Sequence, residues 1–322
     1  MIVVSVALLG VFEPDFSFLE PWFHVEQQDR DELAQRGVVV HGLPASHKQI
    51  GIVATCAADV SADELTARVS AIKNVMRGDL VTGRFSEPPT LDDLSPVTLD
   101  QADIARLRAC RPGECALNLA SDEMAALQLA LRQRPEAPAH VQDAFRRVML
   151  SRLVRYRSGG LAALPEYHDR RGSVRPAAAS SAIRGQMPYL KAHLPGVAAY
   201  LERFPSTDAT VTATSLHWSR MIVNDKPVIT ISHLATFRPK PGPLVPTVVT
   251  VATTVYASRY LNGELTLWML FASGDASSYL VYVTRSELDA LDGTFSGLRR
   301  SAIERGMKEA AGRALVSFCD RR

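Results

Sequence analysis

The chain has 322 residues, a hydrophobic fraction of 47% and a charged fraction of 22%, ordinary values for a globular protein with a sizeable core. Lys and Arg number 36 against 34 for Asp and Glu, and a net charge of +2 gives no support to nucleic acid or an anionic membrane surface as a partner. No internal stretch approaches the ~20 apolar residues of a transmembrane span, so none is expected.

The N-terminal segment, residues 1–48, opens with an apolar run over residues 1–12 that Glu13-Pro14 ends. The run is too short to span a membrane, and it lacks the basic start and the small-residue cleavage site of a complete signal peptide. Two interpretations stay open: an N-terminal strand, or the remnant of a signal peptide whose start lies upstream. The rest of the segment is irregular, with a strand candidate at 38–40.

Residues 49–322 are predicted to form one α+β domain. An apolar run at 50–57 has the length of a strand, and Ser61 followed by Glu64 is the signature of a capped helix start. A second short strand is expected at 81–85. Since no Gly-Ser-rich or Pro-rich linker separates two halves, the helical patterns that follow indicate an insertion into this domain.

The helical insertion covers about residues 90–205. Its longest helical pattern, at 138–156, has an apolar stripe at steps of three and four, and its arginines are typical of a solvated face. Residues 161–180 are polar and contain Gly and Pro, which predicts a surface loop that we interpret as a flap over a cavity mouth. One more helix is expected at 189–204.

The four cysteines include one pair with the spacing of a bridged turn. Pro112-Gly113 lies between Cys110 and Cys115 and favours a chain reversal that would bring the two Cβ atoms close enough for a disulfide. A bridge would indicate the periplasm or the exterior; the alternative is two free thiols in the cytoplasm. The spacing is typical of neither a metal site nor a redox motif. Cys56 is predicted in the core, and Cys319 receives no role.

The main sheet is predicted between residues 211 and 285, followed by a C-terminal helix at 296–318. Alternation of β-branched and aromatic residues with smaller ones marks five strands, at 211–219, 228–237, 248–261, 264–272 and 278–285. Asn262-Gly263 is a strong hairpin signal because both residues tolerate positive φ. A curved antiparallel sheet that grips a C-terminal helix would enclose a cavity between the two.

No catalytic motif, metal-ligand pattern or cofactor fingerprint is present in the sequence. We therefore assign no catalytic residue, no metal and no cofactor. The candidate ligand-binding side chains are polar or aromatic residues on the predicted strands: His217, His233, Tyr256, Arg259, Tyr260 and Trp268. Each has a plainer alternative, because a buried histidine is usually a hydrogen-bonded structural residue and most sheet aromatics pack in the core.

The order of the predicted elements resembles the START-like, or helix-grip, superfamily of proteins that bind lipids and hydrophobic ligands. An opening strand and helix, inserted helices, an antiparallel meander and a closing C-terminal helix follow that order over about 270 residues. The resemblance implies a curved sheet around the C-terminal helix and a ligand cavity between them.

Several short strings are also similar to a group of uncharacterised bacterial proteins that are often predicted to be exported. The likeness covers most of the chain but implies no catalytic residue. The strings are Gly83-Arg-Phe-Ser with the following Pro-Pro, Cys110-Arg-Pro-Gly-Glu-Cys115, Trp218-Ser-Arg220, Tyr256-Ala-Ser-Arg-Tyr260, Tyr279-Leu-Val-Tyr282, Thr284-Arg-Ser286 and Gly297-Leu-Arg-Arg300.

Three functions are compatible with these features. The first is non-catalytic binding of a lipid or other hydrophobic small molecule between the sheet and the C-terminal helix. The second is a cyclase-like or hydrolase-like enzyme in the same cavity, which needs at least two of His217, His233 and Tyr256 to converge within hydrogen-bond reach. The third is an envelope protein that binds a protein partner and no ligand. The sequence names no partner.

Overall fold

The computed structural model describes residues 15–46, 48–71, 80–133, 138–169, 172–206, 210–272, 278–292 and 296–319. The strands of the main sheet are β1 (Val38–Leu43), β2 (Gln49–Ala57), β3 (Val81–Arg84), β6 (Ala213–Val223), β7 (Lys226–Phe237), β8 (Val248–Ala257), β9 (Leu261–Ala272) and β10 (Ser278–Leu288). Every neighbouring pair is antiparallel, in the order β1-β2-β10-β9-β8-β7-β6-β3. A separate hairpin pairs β4 (Tyr167–Asp169) with β5 (Gly172–Val174).

The helices precede, interrupt and close this sheet. In chain order they are α1 (Gln27–Ala34), α2 (Ala62–Ala71), α3 (Gln101–Leu107), α4 (Ser121–Gln133), α5 (Pro138–Gly159), α6 (Pro176–Gly185), α7 (Pro188–His193), α8 (Pro195–Arg203) and α9 (Ser296–Cys319). Proline opens α5 to α8, where its fixed φ and missing N–H suit a first helical turn. The mixed α+β class, the large antiparallel sheet and the C-terminal helix agree with the prediction.

The N-terminal segment belongs to the same core as the sheet. β1 pairs with β2 along its whole length, from Val38 opposite Cys56 to Leu43 opposite Gly51. Upstream of it, Phe18 stacks on Phe271 of β9 with ring centroids 4.8 Å apart. The segment after residue 14 is therefore packed structure, whereas the apolar run at 1–12 lies outside the described residues.

The turn between β8 and β9 differs from the prediction. The chain reverses at residues 258–260, where Tyr260 takes the left-handed conformation with φ of 68°. Asn262 and Gly263, the predicted turn, lie inside β9 instead. Gly263 favours close packing, because a Cβ there would lie 3.2 Å from Ile183 Cδ1 of α6, a tighter contact than side chains usually make. The same lack of a side chain that makes glycine a turn signal here lets a helix approach a strand.

The predicted surface loop at 161–180 also has more structure than expected. It contains the β4–β5 hairpin and the first half of α6. Leu161, Ala162 and Ala177 from this stretch do line a pocket, described below, but as parts of a short 3-10 turn and a helix. We therefore correct the flap interpretation, because ordered elements supply these lining side chains.

Two layers cover opposite faces of the sheet. We call the side on which α9 packs the helix face; it carries Ile52, Trp268 and Leu280, which cluster with Leu315 and Phe318 of α9. We call the other side the insertion face; it carries alternate residues of the same strands, which cluster with the N-terminal segment and α3 to α8. Both faces are apolar in their centres, as expected of a sheet buried on both sides.

Two disulfides are present. Cys110 is bonded to Cys115, as predicted from the intervening Pro-Gly turn. Cys56 is bonded to Cys319, a bridge that the sequence did not indicate and that joins β2 to the last residue of α9 across 263 positions. The C-terminal end of α9 is thus fixed covalently to the sheet. In the part of the chain described, no helix is long and apolar enough to cross a membrane.

Candidate functional site

A pocket lies on the insertion face, where β7 and β8 meet α5, α6 and α8. Its floor is the pair His233 and Thr253, which face each other across β7 and β8. Apolar side chains such as Leu201, Phe204 and Val251 form its walls. The cavity volume is about 100 Å³, room for several water molecules or one small organic group. That is below the ~300–1,000 Å³ of pockets for drug-sized ligands, so a whole lipid does not fit.

His233 is fully hydrogen-bonded at the pocket floor. Its Nδ1 lies 2.7 Å from the Tyr156 hydroxyl, and its Nε2 lies 2.7 Å from Thr214 Oγ1 and 3.3 Å from the Tyr200 hydroxyl. The Thr214 hydroxyl also reaches the Leu234 carbonyl at 3.2 Å. Two proton arrangements satisfy these contacts: Nε2 donates to Thr214 while Nδ1 accepts from Tyr156, or Nδ1 donates to Tyr156 while Nε2 accepts from Thr214 or Tyr200. In the first arrangement the Tyr200 O–H can donate to another acceptor.

The groups around His233 are neutral. Burial lowers the pKa of His233 to about 4, and nearby His217 adds to the lowering. Burial also raises the pKa of Tyr156 and that of Tyr200 above the ordinary tyrosine value. At neutral pH the floor therefore presents an uncharged imidazole and intact hydroxyl groups. Such a floor suits hydrogen bonds to an uncharged polar group better than it suits proton transfer.

The rim of the pocket carries the charges. Arg184 of α6 and Glu202 of α8 both line it. The Arg184 guanidinium donates to the Ser180 hydroxyl at 2.7 Å, and among the described residues no carboxylate oxygen lies within 4 Å of it. Burial lowers the pKa of Arg184, while Glu202 opposes that shift. The positive charge of Arg184 is therefore only partly compensated, because the side chain is half-buried and its described hydrogen-bond partner is neutral.

The helix face has a different polar feature. On β9 and β10, Glu264 faces Ser286 and Thr266 faces Thr284, and each pair is hydrogen-bonded, at 2.6 Å and 2.9 Å. Burial raises the pKa of Glu264, and the hydrogen bond from Ser286 opposes that shift. Nowhere in the described ranges does a cation come within 4 Å of this carboxylate. Glu264 is thus a half-buried carboxyl group of the helix face whose described hydrogen-bond partner, Ser286, is neutral.

The strand registers separate the histidines singled out from the sequence. His217 lies opposite Ser232 and His233 lies opposite Leu216, so the two rings project from opposite faces of the sheet. His217, on the helix face, is hydrogen-bonded to the Ser215 hydroxyl at 2.8 Å. Burial lowers its pKa to about 4, and Arg84 adds to the lowering. A catalytic pair formed by these two histidines is excluded by this geometry.

The other candidates occupy structural positions. Tyr256 lies on the insertion face under Arg152, whose guanidinium carbon is 4.5 Å from the ring centroid. Trp268 packs on the helix face against Tyr282 and Phe318. Neither reaches the pocket, and Tyr256 makes no hydrogen bond to either histidine. The enzyme hypothesis, which required two of its three residues to converge, gains no support from this arrangement.

Arg259 and Tyr260 form the turn between β8 and β9. Arg259 is 3% exposed and pairs with Asp103 of α3, which is 1% exposed. The Tyr260 carbonyl accepts a hydrogen bond from the Asp289 N–H at 3.0 Å. Their contacts hold the turn between the insertion and the segment after β10. Of the six sequence candidates, His233 is the one that lines the pocket.

The residues that complete the pocket come from the insertion helices and gave no functional signal in the sequence. Tyr156 and Tyr200 stand on apolar stripes of α5 and α8, where an aromatic residue predicts core packing. Arg184 is one of many helical arginines. The sequence contains the two tyrosines and a histidine within a strand, but it does not show that their side chains meet, because that contact depends on the tertiary structure. In the described residues, no group of three or more His, Cys, Asp or Glu is arranged to hold a metal ion.

Comparisons with known proteins add little to this geometry. No family model matches the chain, and no curated protein matches it. Among solved structures, the crystal structure of TTHA0849 from Thermus thermophilus is similar over 45% of this chain and 87% of its own length, at 16% sequence identity and a TM-score of 0.26. So low a TM-score carries no argument about fold or function. Function has to be argued from the described residues.

Proposed function

We propose that this protein is a non-catalytic binding protein for a small hydrophobic molecule, held in the pocket at His233. The observation that carries the proposal is the pocket itself: apolar walls over a floor of neutral hydrogen-bonding groups. Apolar pockets with a few fixed polar groups are the usual form of small-molecule sites. Because the cavity is about 100 Å³, the ligand is small or inserts only one short apolar group.

The space beneath α9 is the second candidate place for a ligand, and it is the one expected for a helix-grip fold. β2 lies next to β10 in the sheet, so the first strand of the domain closes on the last, and α9 crosses them. Ile303 and Met307, in the N-terminal half of α9, are only partly buried, whereas Ala311, Leu315 and Phe318 are fully buried. A ligand on this face would lie under the N-terminal half of the helix, near Glu264.

We also propose an oxidising compartment, periplasmic or extracellular, for this chain. Two disulfides use all four cysteines, and such bonds persist mainly outside the cytoplasm. Fractionation of the native host, followed by thiol labelling under denaturing conditions, tests this. Recovery of the protein in the cytoplasm with labelled cysteines would overturn the assignment.

Blocking the pocket tests the binding function. Ala177 lines the pocket from a half-buried position of α6, and the next residue, Ala178, is exposed. We expect A177F to fill the cavity and A178F to leave it open. Ligand-observed NMR with pentan-1-ol should then show binding to wild type and A178F and at least about tenfold weaker binding to A177F. Equal binding by A177F and wild type would remove the pocket from the proposal.

A further inference from the structure

We infer that the ligand of the His233 pocket is a monocarboxylate with a short apolar body, its carboxylate bound by Arg184. This inference rests on the proposed binding function and adds the charge and polarity of the ligand. It draws on three features: the cation at the rim without a carboxylate partner in the described chain, the single opposing charge on the same rim, and the Tyr200 hydroxyl that lines the same pocket.

The first feature is the state of Arg184. Its guanidinium has five N–H donors, and the Ser180 hydroxyl accepts from one of them. Charge-assisted pairs between arginine and carboxylate are among the strongest hydrogen bonds in proteins. A half-buried arginine that lines an apolar pocket without a carboxylate partner within 4 Å in the described chain can therefore gain much from an anionic ligand.

The second feature limits the charge of that ligand. Glu202 stands on the same rim, in an exposed position of α8. The rim carries one cation and one anion and therefore no net positive charge, which disfavours a dianion such as a phosphate. A single negative charge placed at Arg184 and away from Glu202 is the favourable case.

The third feature is the donor beneath the rim. Tyr200 lies at the edge of the His233 network, and its 3.3 Å contact with Nε2 is the longest of the three. In the tautomer whose Nε2 donates to Thr214, the Tyr200 O–H can donate to the second carboxylate oxygen or to a carbonyl of the ligand. The apolar walls at Leu201, Phe204 and Val251 then take the hydrocarbon part.

A matched series of probes tests the charge. Pentanoate, pentan-1-ol and pentylamine have the same apolar body and differ in head group, and ligand-observed NMR at pH 7 gives their dissociation constants. We expect wild type to bind pentanoate at least about tenfold more tightly than pentan-1-ol, and pentylamine more weakly than either. R184Q should bind pentanoate and pentan-1-ol with similar affinities, and R184K should keep part of the preference for pentanoate.

Arg203 supplies the control. It follows Glu202 on α8, is exposed and does not line the pocket. R203Q removes the same charge from the same region and should bind like wild type. Equal affinity of wild type for pentanoate and pentan-1-ol would overturn the carboxylate inference and leave the binding function standing. A preference for pentylamine would also overturn it and assign the rim to Glu202. Failure of all three probes would overturn both.

Discussion

The two layers that cover the sheet are attached by different chemistry. The insertion is joined to the turn after β8 by one buried ion pair, Arg259 with Asp103, and to β8 itself by the Arg152 guanidinium over the Tyr256 ring. The helix α9 is joined to β2 by the disulfide between Cys56 and Cys319 and by apolar contacts. Charge pairs specify one geometry but cost free energy to bury, whereas a disulfide restrains the chain whatever its surroundings.

Two short sequence strings, Trp218-Ser-Arg220 and Tyr256-Ala-Ser-Arg-Tyr260, lie where the insertion meets the sheet. Trp218 of β6 lies over Gly83 of β3, where any Cβ would sit 2.5 Å from the indole, and its Nε1 donates to the Asp93 carbonyl at 2.7 Å. The string from Tyr256 to Tyr260 supplies the partners of Arg152 and Asp103. Both strings thus supply contacts between the insertion and the sheet.

Breaking one buried pair should have the largest effect on stability. R259M leaves Asp103 buried at 1% exposure, with Arg106 at 3.6 Å as its remaining cationic neighbour. We expect a loss of about 3–5 kcal/mol in the free energy of unfolding, measured by urea denaturation. The double variant R259M/D103L should recover most of it, because no unpaired charge remains. A single variant as stable as wild type would show that the pair does not hold the insertion.

Removing the long-range disulfide should cost less. In C56A/C319A, α9 keeps its apolar contacts through Leu315 and Phe318 but loses its covalent restraint on the sheet. We expect about 2–4 kcal/mol of destabilisation, together with faster amide exchange along α9 and little change in α5. C110A/C115A is the control, since that bridge spans only five positions of the chain, on the other layer. Equal exchange in α9 of both variants would contradict this assignment.

The sequence predicted the elements better than it predicted the site, for a physical reason. Alternation along a strand is local, so the five strands predicted between residues 211 and 285 (β6 to β10) and α9 were placed within a few residues. The pocket depends on contacts between residues far apart in the chain, such as Tyr156 with His233 at its floor. The pairing of Cys56 with Cys319 is of the same kind. Gly263 shows that local patterns can also mislead, because glycine is favoured both in a tight turn and where a helix packs closely on a strand.

The two buried histidines allow a direct comparison of the faces, because His233 lies on the insertion face and His217 on the helix face. The expected effect on stability is the smallest of the three. The pKa of each is lowered from 6.5 to about 4 in the folded chain, so between those values the unfolded chain binds protons that the folded chain does not. Their contribution to stability is complete above pH 6.5 and is lost as the pH falls towards 4. Each histidine should therefore lower the free energy of unfolding by about 2 kcal/mol between pH 7 and pH 5.

H233Q and H217Q should each remove the contribution of one histidine to this acid sensitivity, measured as the difference in unfolding free energy between the two pH values. H24Q, which alters a side chain that is 83% exposed, is the control for replacing a histidine outside the core. If H217Q alone removed the whole acid sensitivity, His233 would not have a lowered pKa. Water would then reach His233 through the pocket far more freely than its 5% exposure indicates, and the description of the pocket floor as neutral would be wrong.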